Sequence, residues 1–197
     1  MQSKRILITN GHPAETSLSR ALAEAYAEAA QEAGHEIRLR HLSALQFDPD
    51  HGYAGYGQQK PLEAALKAFQ EDVLWANHIV LTTPMWWGGL PAKLKGLIDR
   101  VLVPGWAFDP RQRNTLGMPH PLLTGRSGRA IVTSDTPAPF FGLFYRRALL
   151  RQIKGQIFKF IGISPTRMTH LAPASSATAE TVDKWIDQMR ALGRKGI

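Results

Sequence analysis

Ile6-Leu7-Ile8-Thr9-Asn10-Gly11-His12-Pro13-Ala14-Glu15-Thr16-Ser17-Leu18-Ser19 passes from a short apolar run through a polar turn into an amphipathic stretch. Ile6 to Thr9 follow two basic residues directly and read as a buried strand. Beyond the turn, Leu18, Ala21, Leu22, Ala25, Tyr26 and Ala29 recur at spacings of three and four, which is the face of an amphipathic helix. Gly34 stops that helix, as glycine commonly does just past a helical end. Glu36 to Arg40 then alternates polar and apolar residues, the pattern of a strand with one exposed face.

The same alternation of strand and helix continues outward from this first unit. Residues 43–60 are irregular. A helix is expected from about Pro61 to Trp75, with Pro61 in a first turn that has no intrahelical partner for its missing N–H. His78 to Thr82 is a third strand. Pro91 opens another helix, with Leu94, Leu97, Ile98, Val101 and Leu102 on one face. Ala130 to Thr133 is a fourth strand, about 145–161 a helix, Thr166 to Leu171 a weaker fifth strand, and about 178–192 a last helix carrying Val182, Trp185, Ile186 and Met189. Strands joined by helix-length crossovers imply a parallel sheet covered by helices on both faces. Five strands fit the flavodoxin-like doubly wound α/β order 2-1-3-4-5, which gives the polar second strand an edge. One domain over 1–197 is expected. Residues 103–128 show no clear periodicity, and so long a loop is usually functional or part of an interface.

Composition narrows the chemistry. The chain has 197 residues, 44% hydrophobic and 20% charged, ordinary for a globular protein. It contains no cysteine, which excludes disulfides, thiolate metal sites and a cysteine nucleophile. Lys and Arg number 24 against 16 Asp and Glu, a balance of +8 that attracts anions. The positive residues are scattered, the densest groups being Arg146-Arg147 with Arg151 and Lys154, and Arg190, Arg194 and Lys195, so no nucleic-acid partner is expected. No apolar run reaches the ~20 residues of a membrane span, and the start lacks the apolar core of a signal peptide, so a cytoplasmic protein is expected. The histidines form no metal-ligand spacing and no metal is expected. A GxSxG elbow is absent. His120 and His170 read as satisfied polar residues rather than catalysts.

In open parallel sheets ligands bind beyond the carboxyl ends of the strands, near the point where strand order reverses. That points to loops 10–17, 83–90 and 134–144. The first joins a strand to a helix start, where free N–H groups and the helix dipole favour an anion. Thr16, Ser17 and Ser19 add hydroxyls and His12 an imidazole. The loop can hold a phosphate, or Thr16 or Ser17 can be an N-cap and nothing more. The second, Thr83-Pro84-Met85-Trp86-Trp87-Gly88-Gly89-Leu90-Pro91, carries adjacent tryptophans. In an extended segment they point to opposite sides, so one faces a pocket or another chain. Gly88-Gly89 lets a flat ring approach the backbone. An aromatic wall above glycine suits a planar redox ring; the other reading is a hydrophobic cluster under the next helix. The third, Ser134-Asp135-Thr136-Pro137-Ala138-Pro139-Phe140-Phe141-Gly142, places polar donors before two prolines and two aromatics, and is either part of the site or a stiff connector.

Together these loops resemble the flavodoxin-like NAD(P)H quinone oxidoreductases, the DT-diaphorase and modulator-of-drug-activity group. GHPAETSLSRAL at 11–22, GHEIRLRHL at 34–42 and FDPD at 47–50 are similar to that family's first unit. TPMWWGGLPAKLKGLIDRVLVPGWAF at 83–108 is the most specific likeness, SDTP at 134–137 resembles the third flavin loop, and FKFIGISPT at 158–166 carries Ile161 where a cysteine is usual. The resemblance implies that His12, Thr16, Ser17, Leu18 and Ser19 surround the flavin phosphates. It implies that Pro84, Met85, Trp86, Trp87 and Gly88 line the ring, and that Asp135, Thr136 and Pro137 cover its pyrimidine end. Tyr145 stands for the family's tyrosine at hydride transfer; no histidine stands beyond the third loop, and Pro137-Ala138 replaces a glycine pair. The implied activity is two-electron hydride transfer from NAD(P)H through FAD or FMN to a quinone or similar acceptor, in ping-pong order. FAD is favoured because the Gly/Tyr stretch 52–57 could extend a pocket. A homodimer is implied, with 103–118 as the interface. The other classes are a flavodoxin-type electron carrier and a flavoprotein regulatory subunit of a membrane transport system.

Overall fold

A computed structural model describes residues 3–52 and 59–197. Its central sheet has five parallel strands: β1 (Arg5–Asn10), β2 (Glu36–His41), β3 (His78–Pro84), β6 (Arg126–Thr133) and β7 (Ile163–Leu171), in the order β2-β1-β3-β6-β7. This is the expected 2-1-3-4-5 order with a small hairpin inserted before the fourth sheet strand. Alternation along the strands divides the core in two. Ile6, Ile8, Val80, Ile131 and Leu171 pack with α1 (Leu18–Glu32) and α6 (Ala179–Lys195). Leu7, Ile79, Leu81, Ala130 and Val132 pack on the opposite face with α2 (Ala64–Trp75), α3 (Ala92–Val101) and the helical segment 148–161. The α1 and α6 backbones approach so closely that a Cβ on Gly193 would lie 2.3 Å from the Tyr26 carbonyl oxygen.

The polar strand β2 does lie at a sheet edge. Arg38 and Arg40 converge there on the buried carboxylate of Asp72, and Arg38 also covers the Trp75 ring at 4.2 Å. Arg100 is fully buried; it donates to the carbonyls of Asp48 and Pro61 and pairs with Glu63 at 2.8 Å, fastening the segment after β2 to α3.

Several expected boundaries move. Residues 103–128 are not structureless: β4 (Phe108–Arg113) and β5 (Pro119–Pro121) form an antiparallel pair, and β6 has begun by Arg126. Pro110, Pro119 and Pro121 obscure that hairpin, since proline is poor strand material except at edges. Basic residues obscure the start of β6, yet Arg129 is buried and donates to Thr169 Oγ1 at 2.8 Å and the Ile197 carbonyl at 2.7 Å. The first helix after the irregular region starts at Ala64 with Glu63 as N-cap, later than Pro61. The expected helix 145–161 becomes a short α4 (Ala138–Leu143), a turn, and then α5 (Ala148–Arg151) continued by π-helical turns over Gln152–Lys159. Arg146 and Arg147 make the turn with φ of 47° and 52°, a left-handed conformation that no helix continues through. β7 starts at Ile163, three residues early, because its edge position tolerates Pro165. Of the Gly/Tyr stretch 52–57, residues 53–57 lie outside the described residues. Among the described residues no helix is long and apolar enough to cross a membrane.

Candidate active site

The three loops meet beyond the carboxyl ends of β1, β3 and β6. Asn10, the last residue of β1, accepts the His12 N–H at 3.1 Å, and the Gly11 N–H donates to the Thr82 carbonyl at 2.7 Å. A Cβ on Gly11 would lie 2.6 Å from Leu94 Cδ2 and 3.1 Å from the Thr82 carbonyl oxygen, so a side chain there would displace Leu94 and crowd the contact with β3. Ala14 N–H donates to His12 Nδ1 at 3.0 Å, which leaves Nε2 as the donor of the neutral ring. Burial pushes the His12 pKa below its ordinary value, favouring that neutral form.

Ser17 is the N-cap of α1: its hydroxyl oxygen accepts the Arg20 N–H at 3.1 Å. The capping role weighed for Thr16 or Ser17 is therefore filled by Ser17, while its own O–H is left to donate. Helix geometry leaves the N–H groups of Leu18 and Ser19 without intrahelical acceptors. The first turn holds no acidic residue, so nothing in the helix competes with an incoming anion. Thr82 Oγ1 donates to the Ser19 carbonyl at 2.8 Å and fixes the helix start to β3.

The tryptophans differ from the extended expectation. Trp86 N–H donates to the Gly89 carbonyl at 3.0 Å and Gly89 N–H to the Trp86 carbonyl at 2.9 Å, closing a tight turn. Trp87 and Gly88 form its centre with φ of 51° and 76°, the positive pair that a type I′ turn demands. Glycine suits such a position; tryptophan does so at a cost. The turn, not strand alternation, therefore separates the rings. Trp86 is half-exposed and meets the His12 ring edge-on at 5.4 Å, whereas Trp87 is fully exposed at the tip. Neither is core.

The third loop is stapled to the segment after β7. Asp135 Oδ1 accepts the Ser175 N–H at 2.6 Å, and hydrogen bonding from Ser175 holds the Asp135 carboxyl below the usual carboxylate range. Ser134 accepts the Ala174 N–H on its carbonyl at 2.9 Å, and its hydroxyl bonds His170 Nε2 at 2.8 Å. His170 is thus a satisfied polar residue, as its isolation in the sequence implied. Pro137 is the N-cap of α4, so the second half of the loop is helical and not a connector.

Two cavities result. One, of about 330 Å³, brings together His12, Thr16, Ser17, Leu18 and Ser19 with Pro84, Met85, Trp86 and Asp135. Met85 also belongs to the second, of about 350 Å³, lined by Trp87, Gly88, Thr136, Phe141, Tyr145 and Ala148. Tyr145, the expected catalytic residue, lies there, with its ring against Phe140 at 5.5 Å. Pro137 lines neither cavity. Ser134, the first residue of the third loop, lines the first cavity too. Ala174 and Ser175 also line it and were not anticipated, because they follow the edge strand β7; the small polar run Ser175-Ser176 was the available signal. The first cavity offers N–H and O–H donors to a phosphate, and Met85 with the aromatic turn offers apolar surface to a planar ring. Among the described residues no group of His, Asp and Glu could hold a metal.

Residues 4–192 match the family described as having a flavodoxin-like fold, and the chain belongs to that family. It is 32% identical over 127 residues to NAD(P)H dehydrogenase (quinone) 1 of Rattus norvegicus, covering 55% of this chain and 46% of that protein. It is 34% identical over 110 residues to the FMN-dependent NADH:quinone oxidoreductase of Ruegeria pomeroyi, covering 48% of this chain and 54% of that one. The chain spans about half the length of these curated relatives. A solved structure, Smu.1420 from Streptococcus mutans UA159, superposes with a TM-score of 0.79 at 27% identity, over 96% of this chain and 98% of that one.

Proposed function

We propose that this member of the flavodoxin-like family is a flavin-dependent NAD(P)H oxidoreductase that reduces quinones or similar acceptors. The observation that carries the reading is the convergence of three loops on two cavities that share Met85, one rich in anion donors and one walled by apolar and aromatic groups. The names of the curated relatives support the chemistry. When bound, the flavin supplies two-electron exchange between a reduced nicotinamide and the acceptor.

The donor set fits such a group. The N–H groups of Leu18 and Ser19 and the hydroxyls of Thr16 and Ser17 would hold its phosphate at the α1 start, where the dipole favours negative charge. His12 donates from Nε2 as a neutral ring. Pro84, Met85, Trp86, Trp87 and Gly88 would line the ring, and Asp135 and Thr136 would meet its polar edge from the third loop, which Pro137 stiffens. Tyr145, which lines the second cavity, would donate its hydroxyl to the substrate there. These contacts concern the mononucleotide portion that FMN and FAD share, and chromatography of the released flavin identifies which is present.

The proposal includes hydride transfer in ping-pong order, a cytoplasmic location and a homodimer. Leu116 and Met118 in the stretch 103–118 are exposed, which supports the dimer; sedimentation tests it. The experiment for the activity is steady-state kinetics with NAD(P)H and a soluble quinone. Parallel double-reciprocal lines are expected, since both substrates use one site in turn. Intersecting lines contradict the shared site, and absence of turnover with flavin bound points to an electron carrier or a regulatory subunit.

A further inference from the structure

From Ala148 to Lys159, α5 and the π-helical turns that continue it are amphipathic. Ile153, Ile157 and Phe158 are buried against the sheet, while Arg151, Lys154 and Lys159 are exposed on the other side. With Gln152, Gln156 and Gly88 they line an open trough of about 690 Å³. That volume is within the range of ligand sites for small molecules.

Three features separate this trough from an ordinary solvated helix face. No carboxylate lines it. None of the three cations forms an ion pair among the described residues, whereas Lys95 and Lys184 on other helices each bind a carboxylate four residues away at 2.6 Å. Finally, Gly88 and Ala148 line both this trough and the cavity that holds Met85, Trp87 and Tyr145. The trough therefore adjoins the ring cavity at Gly88 and Ala148 and carries positive charge that no carboxylate of its lining offsets.

We infer that the trough takes the phosphate-bearing adenosine end of the reduced dinucleotide while its nicotinamide end occupies the cavity at Met85, Trp87 and Tyr145, and that Arg151, Lys154 and Lys159 select the dinucleotide that carries a 2′-phosphate. The inference rests on the oxidoreductase reading and deepens it. A phosphate monoester brings nearly two charges and three acceptor oxygens. Arg151 meets it with a planar fork of donors, Lys154 and Lys159 with compact charges. Because all three side chains are exposed, the selection weakens as salt screens it.

The test uses flavin-loaded protein and two probes, adenosine 2′,5′-bisphosphate and adenosine 5′-monophosphate, titrated by calorimetry at low and high salt. The bisphosphate is expected to bind about tenfold more tightly, from one or two charge-assisted hydrogen bonds. The preference shrinks with salt and is lost in the R151Q/K154Q/K159Q variant, whose flavin spectrum and Tm stay as in the parent. In the same variant KM rises about tenfold for NADPH and by less for NADH. Equal binding of both probes by the parent, or a preference retained by the variant, overturns the inference. If parent protein is reduced equally well by both dinucleotides and shows no probe preference, the oxidoreductase reading stands and the phosphate site falls. If neither dinucleotide reduces it, that reading falls on a separate measurement.

Discussion

The two ends of the sheet are built from similar residues and put them to opposite use. At the amino end, Lys4 N–H donates to His35 Nδ1 at 3.2 Å, His78 Nδ1 bonds Ser127 Oγ at 2.7 Å, and Arg129 is spent on Thr169 and the Ile197 carbonyl. At the carboxyl end His12 and Ser17 are held from one side by backbone of their own loop, and the other side faces a cavity. There too the aromatic side chains of Trp87, Phe140, Phe144 and Tyr145 stand exposed. A histidine, serine or arginine thus indicates chemistry only where its hydrogen-bonding capacity is left open toward space that a ligand can enter.

The largest effect belongs to the closed end. Arg129→Leu removes a buried guanidinium that donates to Thr169 Oγ1 and shares the Ile197 carbonyl with the Tyr26 hydroxyl, and should cost roughly 2–4 kcal/mol by denaturant unfolding, at about 1.5–3 kcal/mol for a hydrogen bond to a charged donor. Flavin affinity of the folded fraction should not change; a parallel loss of flavin would merge the two ends.

Next comes His78. Burial, reinforced by Lys4, Arg129, Arg167 and His35, pushes its pKa down to about 3. The unfolded chain binds the proton first, so stability is full above the ordinary histidine value near 6.5 and falls as pH drops toward 3. From pH 7 to pH 5 the loss is about 2 kcal/mol from this group. His12, His41 and His170 shift in the same direction, also through burial, and add to it. His78→Gln should flatten the profile measured by chemical denaturation at the two pH values; an unchanged slope would show that the ring is protonated in the fold.

The open end should respond in binding more than in stability. Ser17→Ala removes the α1 cap and should cost about 1 kcal/mol, while Thr16→Ala, which caps nothing, should leave unfolding unchanged. The double variant should bind flavin at least tenfold more weakly, since about 1.4 kcal/mol lost to a charged acceptor is tenfold. Parental affinity would reduce the loop to a helix cap.

A small stability change is also expected at Trp87. Its ring is exposed and its backbone strained, so Trp87→Gly should shift unfolding by less than about 1 kcal/mol while weakening flavin binding. A loss of about 3 kcal/mol or more would mark a buried ring and contradict the contrast between the two ends.

The sheet order was legible because buried parallel strands and their crossover helices write two different periods into the sequence, and the polar strand β2 identified an edge. The hairpin β4–β5 escaped because prolines supply three of its positions, and the buried Arg100 and Arg129 because an arginine satisfied by carbonyls reads as surface until its partners are known. At the site, the residue types in each loop pointed to their neighbours. The bond from Ser175 to Asp135 joins segments 40 residues apart, and no local pattern encodes it. The Trp86–Gly89 turn was hidden for another reason: alternation holds only for extended chain, and Gly88-Gly89 was itself the signal that the chain reverses.

The central claim is that the carboxyl-end cavities hold a flavin that exchanges electron pairs with a reduced nicotinamide. The most direct measurement is the visible spectrum of the flavin-loaded protein under anaerobic conditions. Adding one equivalent of NADPH should bleach the flavin absorbance within the turnover time with no quinone present, and one equivalent of quinone should restore it. A spectrum that NADPH and NADH both leave unchanged, or that quinone does not restore, would contradict the account.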